Sequence, residues 1–551
     1  ASTIRRSWTV VGARTSLVDR LSEQLTARGD RVAVLDADAD PAAWSADGGD
    51  LLYLDALSLT GIPSMPEAAQ VEDRAGVLPI RWLARAASLD ANRVWFVTSG
   101  AQPVHASSDV VNPGQASIWG LGRAFALENP EHWGGGVDLA PETSAEQAAA
   151  QIVASLVAAD GEDQTAWRDG RRYAARLERV PEPGASAVRI DRSGAYLITG
   201  GFGGLGLLVG RWLAERGAGV VVLIGRNPDL TLDGVRTIEA LGTRVVGACG
   251  DVSDAVSVAE TISRFGADLP PLRGVIHAAA ALSTGRVGEL DEATVAAMYR
   301  AKVTGTLALA DALRDREIDF VALFSSSTAL LGASGFVHYA GANQFLDAYA
   351  QSQAASGTRW IAIDWGTWEV MRLASADAQR DYRRSGLLPM RAEAALDALA
   401  RLLDGRDAQT MVASIDWSIL RPLHEARRPR PLLAALGTPS PAESAAVRAA
   451  STRATLGEQL AHTHGQSRRD VILRFVTGEV AGVLGLEAGV SVSPAMGLFE
   501  LGMDSLMSVE LKRRLEQGTE RTLPSTLTFN YPNIGALTGF LEQLFPEQTP
   551  D

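Results

Sequence analysis

"LITGGFGGLGLLVGRWLAERGA" (residues 197–218) runs from an apolar segment through a glycine cluster into a helix-like stretch. Gly201, Gly203 and Gly206 have the G-x-G-x-x-G spacing. In such a loop the first glycine permits a tight turn and the second lets backbone approach a pyrophosphate. The third lets helix and strand pack closely, and the helix N-terminus that follows favours negative charge. The expected dinucleotide cradle comprises Thr199, Gly200, Gly201, Phe202, Gly203, Gly204, Leu205 and Gly206. The next apolar run ends at Gly225 and Arg226, where NAD binders carry an acid for the ribose 2′-hydroxyl. An arginine can instead pair with a 2′-phosphate, which favours NADPH. Asp251 and Val252 follow the third run, at the depth of an adenine; Asp251 could also cap a helix.

Around this loop the pattern is regular. The apolar runs 195–200, 219–225, 244–250, 273–279, 319–326 and 359–365 are separated by helical stretches. Continuous apolar strands between helices predict a parallel sheet covered on both faces. Upstream, "SWTVVGA" (7–13), "SLVDRLSEQLTARG" (16–29) and "RVAVLDAD" (31–38) open like a Rossmann half, but the first turn has Gly12 alone. A structural half without a nucleotide is expected there. "VWFVTSG" (94–100) and "ASIWGLGRAFALENPEHWGGGVDL" (116–139) continue the alternation, and "VPEPGAS" (180–186) marks a junction. Residues 425–454 are rich in Pro, Ala, Ser and Arg and read as a linker. Helix patterns at 468–485, 505–517 and 533–545 follow without a strand. The expected fold class is α/β: two Rossmann-like halves (1–185 and 186–435), a linker (436–462) and a small all-α four-helix bundle (463–546).

Bulk properties narrow the function. The 551 residues are 46% hydrophobic and 21% charged, with a net charge of −14. That disfavours nucleic acid or an anionic membrane as partner. No apolar run is long enough for a bilayer, and the start lacks a signal-peptide core, so a cytoplasmic location is expected. Cys249 is the one cysteine and reads as a small core residue; no thiolate metal site is expected.

"FSSSTALLGASGFVHYAGANQFLDAYA" (324–350) holds Ser326, Tyr339 thirteen residues on, and Asn343 four further, on the same helical face as Tyr339. Lys302 lies in an earlier helix. A tyrosine can protonate a carbonyl as hydride arrives, a nearby ammonium makes its proton more acidic, and a serine can hold the carbonyl oxygen. An asparagine can orient the lysine or a relay water.

With "TGGFGGLG", "GDVSD", "VIHAAAALS", "AKVTG", "FSSSTALLG", "YAGAN" and "AIDWGTW" together, residues 186–435 resemble the catalytic half of a polyketide synthase ketoreductase, in the short-chain dehydrogenase/reductase superfamily. The stretch 116–139 resembles that family's degenerate structural half. The resemblance implies Lys302, Ser326, Tyr339 and Asn343 as the catalytic tetrad, with Lys and Asn exchanged relative to most short-chain dehydrogenases. It adds Ala278 and Ala279 to the cofactor wall. The family's two stereochemical markers are absent: Leu282, Ser283 and Thr284 stand in place of Leu-Asp-Asp, and Leu331 in place of a tryptophan. The missing acids lean toward an A-type, L-configured product. His338 reads as a partly exposed helix residue that could touch substrate. Trp365 and Trp368 precede a segment (369–390) resembling a substrate lid, though core packing would equally explain Trp365.

"GMDSL" (502–506) with "LPSTLTFNYPN" (523–533) resembles an acyl carrier protein of a type I synthase. Ser505 would then carry a 4′-phosphopantetheine arm, with Asp504 as helix cap and Met507, Leu511 and Leu515 facing the core. Lys512, Arg513 and Arg514 make the following helix unusually basic for a carrier. No ketosynthase or acyltransferase stretch is present, so the chain reads as part of a larger synthase. Its implied partners are acyl thioester intermediates, ketosynthase and acyltransferase domains, and a phosphopantetheinyl transferase. The implied reaction is NADPH-dependent reduction of a carrier-tethered β-ketoacyl thioester. Three alternatives stay open: an α-ketoacyl reductase of a depsipeptide-forming peptide synthetase, a redox-inactive scaffold, and an epimerase.

Overall fold

A computed structural model of the chain describes residues 6–89, 92–105, 111–181, 184, 188–370, 385–436, 456–460 and 466–484. From 493 to 546 it describes all but 499–500, 502, 504, 520, 522 and 525–526. The reductase region and the C-terminal region fall into separate compact units.

The first sheet contains β1 (Ser7–Val11), β2 (Arg31–Leu35), β3 (Asp50–Tyr53), β4 (Val94–Ser99), β5 (Trp133–Leu139), β6 (Gln164–Arg168) and β7 (Arg171–Ala174). Its order is β2-β1-β3-β4-β5-β6-β7, parallel except for the β6–β7 hairpin. Asp169 (φ 50°) and Gly170 (φ 71°) supply the two positive-φ residues that a tight hairpin turn requires. The pair β2–β1 matches a Rossmann opening, but β3 lies on the other flank of β1, as in a flavodoxin-like order.

The second sheet contains β8 (Ala195–Thr199), β9 (Val220–Gly225), β10 (Arg244–Cys249), β11 (Leu272–His277), β12 (Phe320–Ser326), β13 (Arg359–Trp365) and β14 (Gln409–Val412). It is parallel throughout, in the order β10-β9-β8-β11-β12-β13-β14. The order reverses between β8 and β11, and the crevice beyond those strand ends is where such sheets bind ligands.

Helices α1 (Ser16–Ala27) and α2 (Pro113–Glu128) belong to the first half; α3 (Gly204–Glu215), α4 (Glu292–Tyr299), α5 (Gly305–Leu313) and α6 (Val337–Ser352) belong to the second. The halves meet through α2 and α6, packed too closely for side chains at two points. A Cβ on Gly120 would lie 2.2 Å from the Ala340 carbonyl oxygen, and one on Gly341 would lie 2.5 Å from Leu121. Ser117 donates to the Gly341 carbonyl at 2.9 Å and stands 2.8 Å from the Tyr299 hydroxyl.

In the C-terminal unit, α7 (Gln466–Leu484), α8 (Ser505–Thr519) and α9 (Ile534–Leu544) enclose an apolar core. Leu511 and Leu515 are fully buried in it beside Ile472, Val476, Leu537 and Leu541, and Met507 packs at its edge. Lys512 pairs with Glu516 at 2.8 Å, one turn on along the same helix. The expected cap Asp504 lies outside the described residues, as do the side chains of Ser505 and Arg513.

Candidate active site

The glycine loop divides its labour by position. Gly200 (φ 64°) makes the turn. Gly201 and Gly206 are packing glycines: a Cβ would come within 2.8 Å of Ile198 O at Gly201, and within 2.6 Å of Gly200 O at Gly206. At Gly203 a Cβ would meet only Gly200 O, at 3.2 Å, and at Gly204 only Val370 O, at 3.7 Å. The loop is therefore open on the side that a pyrophosphate would approach, at the start of α3.

That side faces a cavity of about 760 Å³, within the range of small-molecule sites. Gly200, Phe202, Gly203, Gly204, Leu205 and Gly206 form one wall. Arg226, Asp251, Val252, Ala278 and Ala279 also line it, as expected. Thr199 and Gly201 do not: Gly201 packs against Leu223, and the buried Thr199 is turned toward β11. Thr199 Oγ1 is 2.7 Å from His277 Nδ1 and accepts from the Ala279 amide at 3.3 Å, so it ties the two strands at the switch point. Burial, with the Lys302 charge nearby, pushes the His277 imidazole down to about 3, so it is neutral. Asp251 accepts from the Ser253 amide (2.9 Å) and hydroxyl (2.8 Å), while Asp254 caps the next helix. Cys249 is exposed, contrary to expectation, because it ends β10 at the sheet edge.

Of the four expected tetrad residues, Ser326 ends β12, Lys302 reaches the carbonyl of Phe324 on the same strand, and Tyr339 and Asn343 share one face of α6; none forms the cavity wall. Lys302 lies in a π-helical turn (Arg300–Thr304) between α4 and α5 and is 2% exposed. Its ammonium donates to the Phe324 carbonyl at 2.5 Å and lies 6.0 Å from the Tyr339 ring centroid. Ser326 ends β12 and accepts from the Thr328 amide at 3.3 Å. Tyr339 stands half-buried in the first turn of α6. Asn343 Nδ2 donates to the Tyr339 carbonyl at 2.8 Å, and its buried Oδ1 has no partner among the described residues. Burial pushes Lys302 down to about 7, against the pull of Asp347. A group that titrates near neutrality exchanges protons readily and is more than a fixed charge.

Asp347 is a further member that the sequence reading leaves out, although it continues the spacing 339–343–347 along one face of α6. It is fully buried beside Asp364, which pairs in register with Ser325. Burial raises both: Asp347, pushed further by the neighbouring Asp364 carboxyl, lies well above the usual range, whereas hydrogen bonding to Asp347, Ser325 and Gln409 holds Asp364 to about 6. Nothing local marks Asp364; sheet register alone brings it there.

One further expectation changes. His338 is fully buried, with Nε2 2.8 Å from Ser283 Oγ, and burial lowers it to about 4. Trp365 and Trp368 are 5% and 0% exposed and stack edge-on at 4.9 Å in the core beneath β13. Their bulk is used for packing, the core role expected as an alternative for Trp365; residues 371–384 of the following segment lie outside the described residues. Among the described residues no helix is long and apolar enough to cross a membrane, and no His, Cys, Asp or Glu cluster could hold a metal.

A glycine loop at the switch point, with Lys302, Ser326, Tyr339 and Asn343 in the same half, has the layout of the short-chain dehydrogenase/reductase fold. Comparison with known proteins narrows this. A KR domain model matches residues 194–370, a model of the Rossmann fold domain of the polyketide synthase extender module SpnB matches 8–177, and a phosphopantetheine attachment site model matches 474–541. The chain is similar to A-type ketoreductases from a modular polyketide synthase, at 30% identity and a TM-score of 0.68, over 79% of this chain and 94% of that one. It is also similar to a C2-type ketoreductase from a modular synthase, at 29% identity and a TM-score of 0.70, over 79% and 98%. The chain belongs to the ketoreductases of modular polyketide synthases. The pikromycin polyketide synthase component PikAIII of Streptomyces venezuelae is 32% identical over 82% of this chain and 30% of its own length. Erythronolide synthase EryA3 of Saccharopolyspora erythraea is 35% identical over 83% and 14%. The chain thus spans under a third of these curated relatives. The family's cofactors are NADPH in the reductase and covalent phosphopantetheine on the carrier.

Proposed function

We propose that this chain reduces a β-ketoacyl thioester, delivered on a phosphopantetheine arm attached to Ser505, to a β-hydroxyacyl thioester. NADPH, when bound, supplies the hydride. The convergence of Lys302, Tyr339 and Asn343 beside a cofactor-sized cavity carries the reading. Ser326 holds the carbonyl oxygen. As the carbonyl carbon gains hydride, its π electrons move to oxygen, and the Tyr339 O–H bond breaks to protonate it. Lys302 returns a proton to the tyrosinate, and Asn343 Oδ1, an open acceptor, orients the water that refills Lys302. The test offers β-keto and α-keto thioesters side by side on the carrier and follows NADPH consumption. Preference for the β-keto thioester is expected; preference for the α-keto thioester would transfer the chain to the depsipeptide reading, and no consumption would leave it a scaffold.

Arg226 is assigned to the 2′-phosphate. Arg226→Ala should weaken NADPH binding by about ten- to a hundredfold, the worth of one or two charge-assisted hydrogen bonds, and leave NADH affinity nearly unchanged. Cofactor titration by fluorescence checks this; equal losses for both cofactors would remove the assignment.

A further inference from the structure

Glu128 ends α2, in the half that has no glycine loop, and is 8% exposed. Its carboxylate accepts two backbone N–H bonds from the other half, from Val287 at 2.7 Å and Gly335 at 2.9 Å. The two donors lie on different loops. One follows β11 and, through Ala281 and Leu282, lines the cofactor cavity. The other leads directly into α6 and Tyr339. The loops are also joined to each other: the Gly285 amide donates to the Gly335 carbonyl at 3.0 Å, and Ser283 Oγ lies 2.8 Å from His338 Nε2. A carboxylate suits this place because it only accepts, and each oxygen can take one amide.

We infer that Glu128 is a positioning residue, through which the nucleotide-free half fixes the substrate-side wall of the cleft, and that the Ser283–His338 contact passes this setting to Tyr339. The inference rests on the proposed reductase reading only for its kinetic readout. His338 is the residue immediately before Tyr339, so a shift of the loop at Ser283 moves the first turn of α6. The wall would set how the thioester lies against Tyr339, while the glycine loop and Arg226, elsewhere in the cavity lining, keep their own contacts.

The whole chain is tested as Glu128→Gln and Ser283→Ala. An amide in place of Glu128 accepts one N–H but presents its own NH₂ to the other, so one loop is released. Both variants should raise KM for a free β-ketoacyl thioester about tenfold or more, as small misplacements do. Both should shift the ratio of the two alcohol epimers, with NADPH affinity unchanged within about twofold. In Glu128→Gln, hydrogen exchange at one of the two amides, Val287 or Gly335, should quicken, a readout that needs no turnover. Parental KM and epimer ratio in both variants would overturn the inference, even with a lower Tm, as would unchanged exchange at both amides. If Glu128→Gln fails to fold, Ser283→Ala decides alone by KM and epimer ratio. Absence of turnover in the parent would count against the reductase reading, and the exchange result would still stand.

Discussion

Replacing Tyr339 with phenylalanine is expected to lower kcat for thioester reduction by about 10²–10⁴-fold, the range a positioned general acid supplies. Only the hydroxyl is lost. The ring is half-buried, and its edge-on contact with Phe336 at 6.2 Å survives in the variant, so stability should change by less than about 1 kcal/mol. Tyr339 is not in the cavity wall, so NADPH binding should persist. A Lys302 variant would be a poorer probe. Its side chain is fully buried against the Phe324 carbonyl, and removing it disturbs packing as well as chemistry. Stopped-flow NADPH oxidation measures the effect. In the parent, turnover should decline as pH rises through about 7, because Lys302 then lacks the proton that refills Tyr339; the variant should lose that dependence. Parental turnover in Tyr339→Phe would remove the proposed mechanism.

How far these residues can be read in advance depends on the range of the forces that place them. The run 359–365 is β13 to the residue, and 195–200 overshoots β8 by one. Strands covered on both faces are continuous apolar runs, so their pattern is local. β3 escapes a linear reading because "DLLY" is four residues long. The hairpin β6–β7 does carry a signal, the Asp169-Gly170 pair, which the apolar pattern alone does not register. β5 reads poorly because three of its residues are glycines. They make room for indoles: a Cβ on Gly134 would lie 2.3 Å from Trp95 Nε1, and one on Gly136 would lie 2.9 Å from Trp119. Strand order in the first half has no local signal at all.

The site divides the same way. Tyr339 and Asn343 show themselves by helical spacing, and the glycine loop by its own pattern. Asp347 is legible one turn further along the same helix. Asp364 and the Ser283–His338 contact come from sheet register and loop packing, which a linear reading does not contain. The opposite errors at His338 and Cys249 share that origin. A helix start expected to be exposed is sealed by a distant loop, while an apolar strand expected to be interior lies at the edge.

Replacing Ser505 with alanine is expected to abolish phosphopantetheine attachment entirely and, with it, all reduction of carrier-delivered substrate. The hydroxyl is the atom that would form the phosphodiester, its Oγ attacking the phosphorus of the donor as that donor's P–O bond breaks. No weaker substitute exists at this position. Ser508, one turn on, is 5% exposed and cannot offer its hydroxyl to a transferase. The fold should not suffer. Ser505 is the first residue of α8, where alanine is a good helix former, and the buried positions Leu511 and Leu515 are untouched. The variant should therefore keep its Tm and still reduce a free β-ketoacyl thioester within about twofold of the parent, since Ser505 and the reductase residues belong to separate compact units and share no packing core. Intact mass after incubation with a phosphopantetheinyl transferase reads the attachment, and turnover of loaded against free substrate reads the consequence. A Ser505→Ala chain that still gains one phosphopantetheinyl mass would move the arm to another residue. A chain that loses the arm and also fails on free substrate would show that the carrier unit supports the reductase by more than delivery.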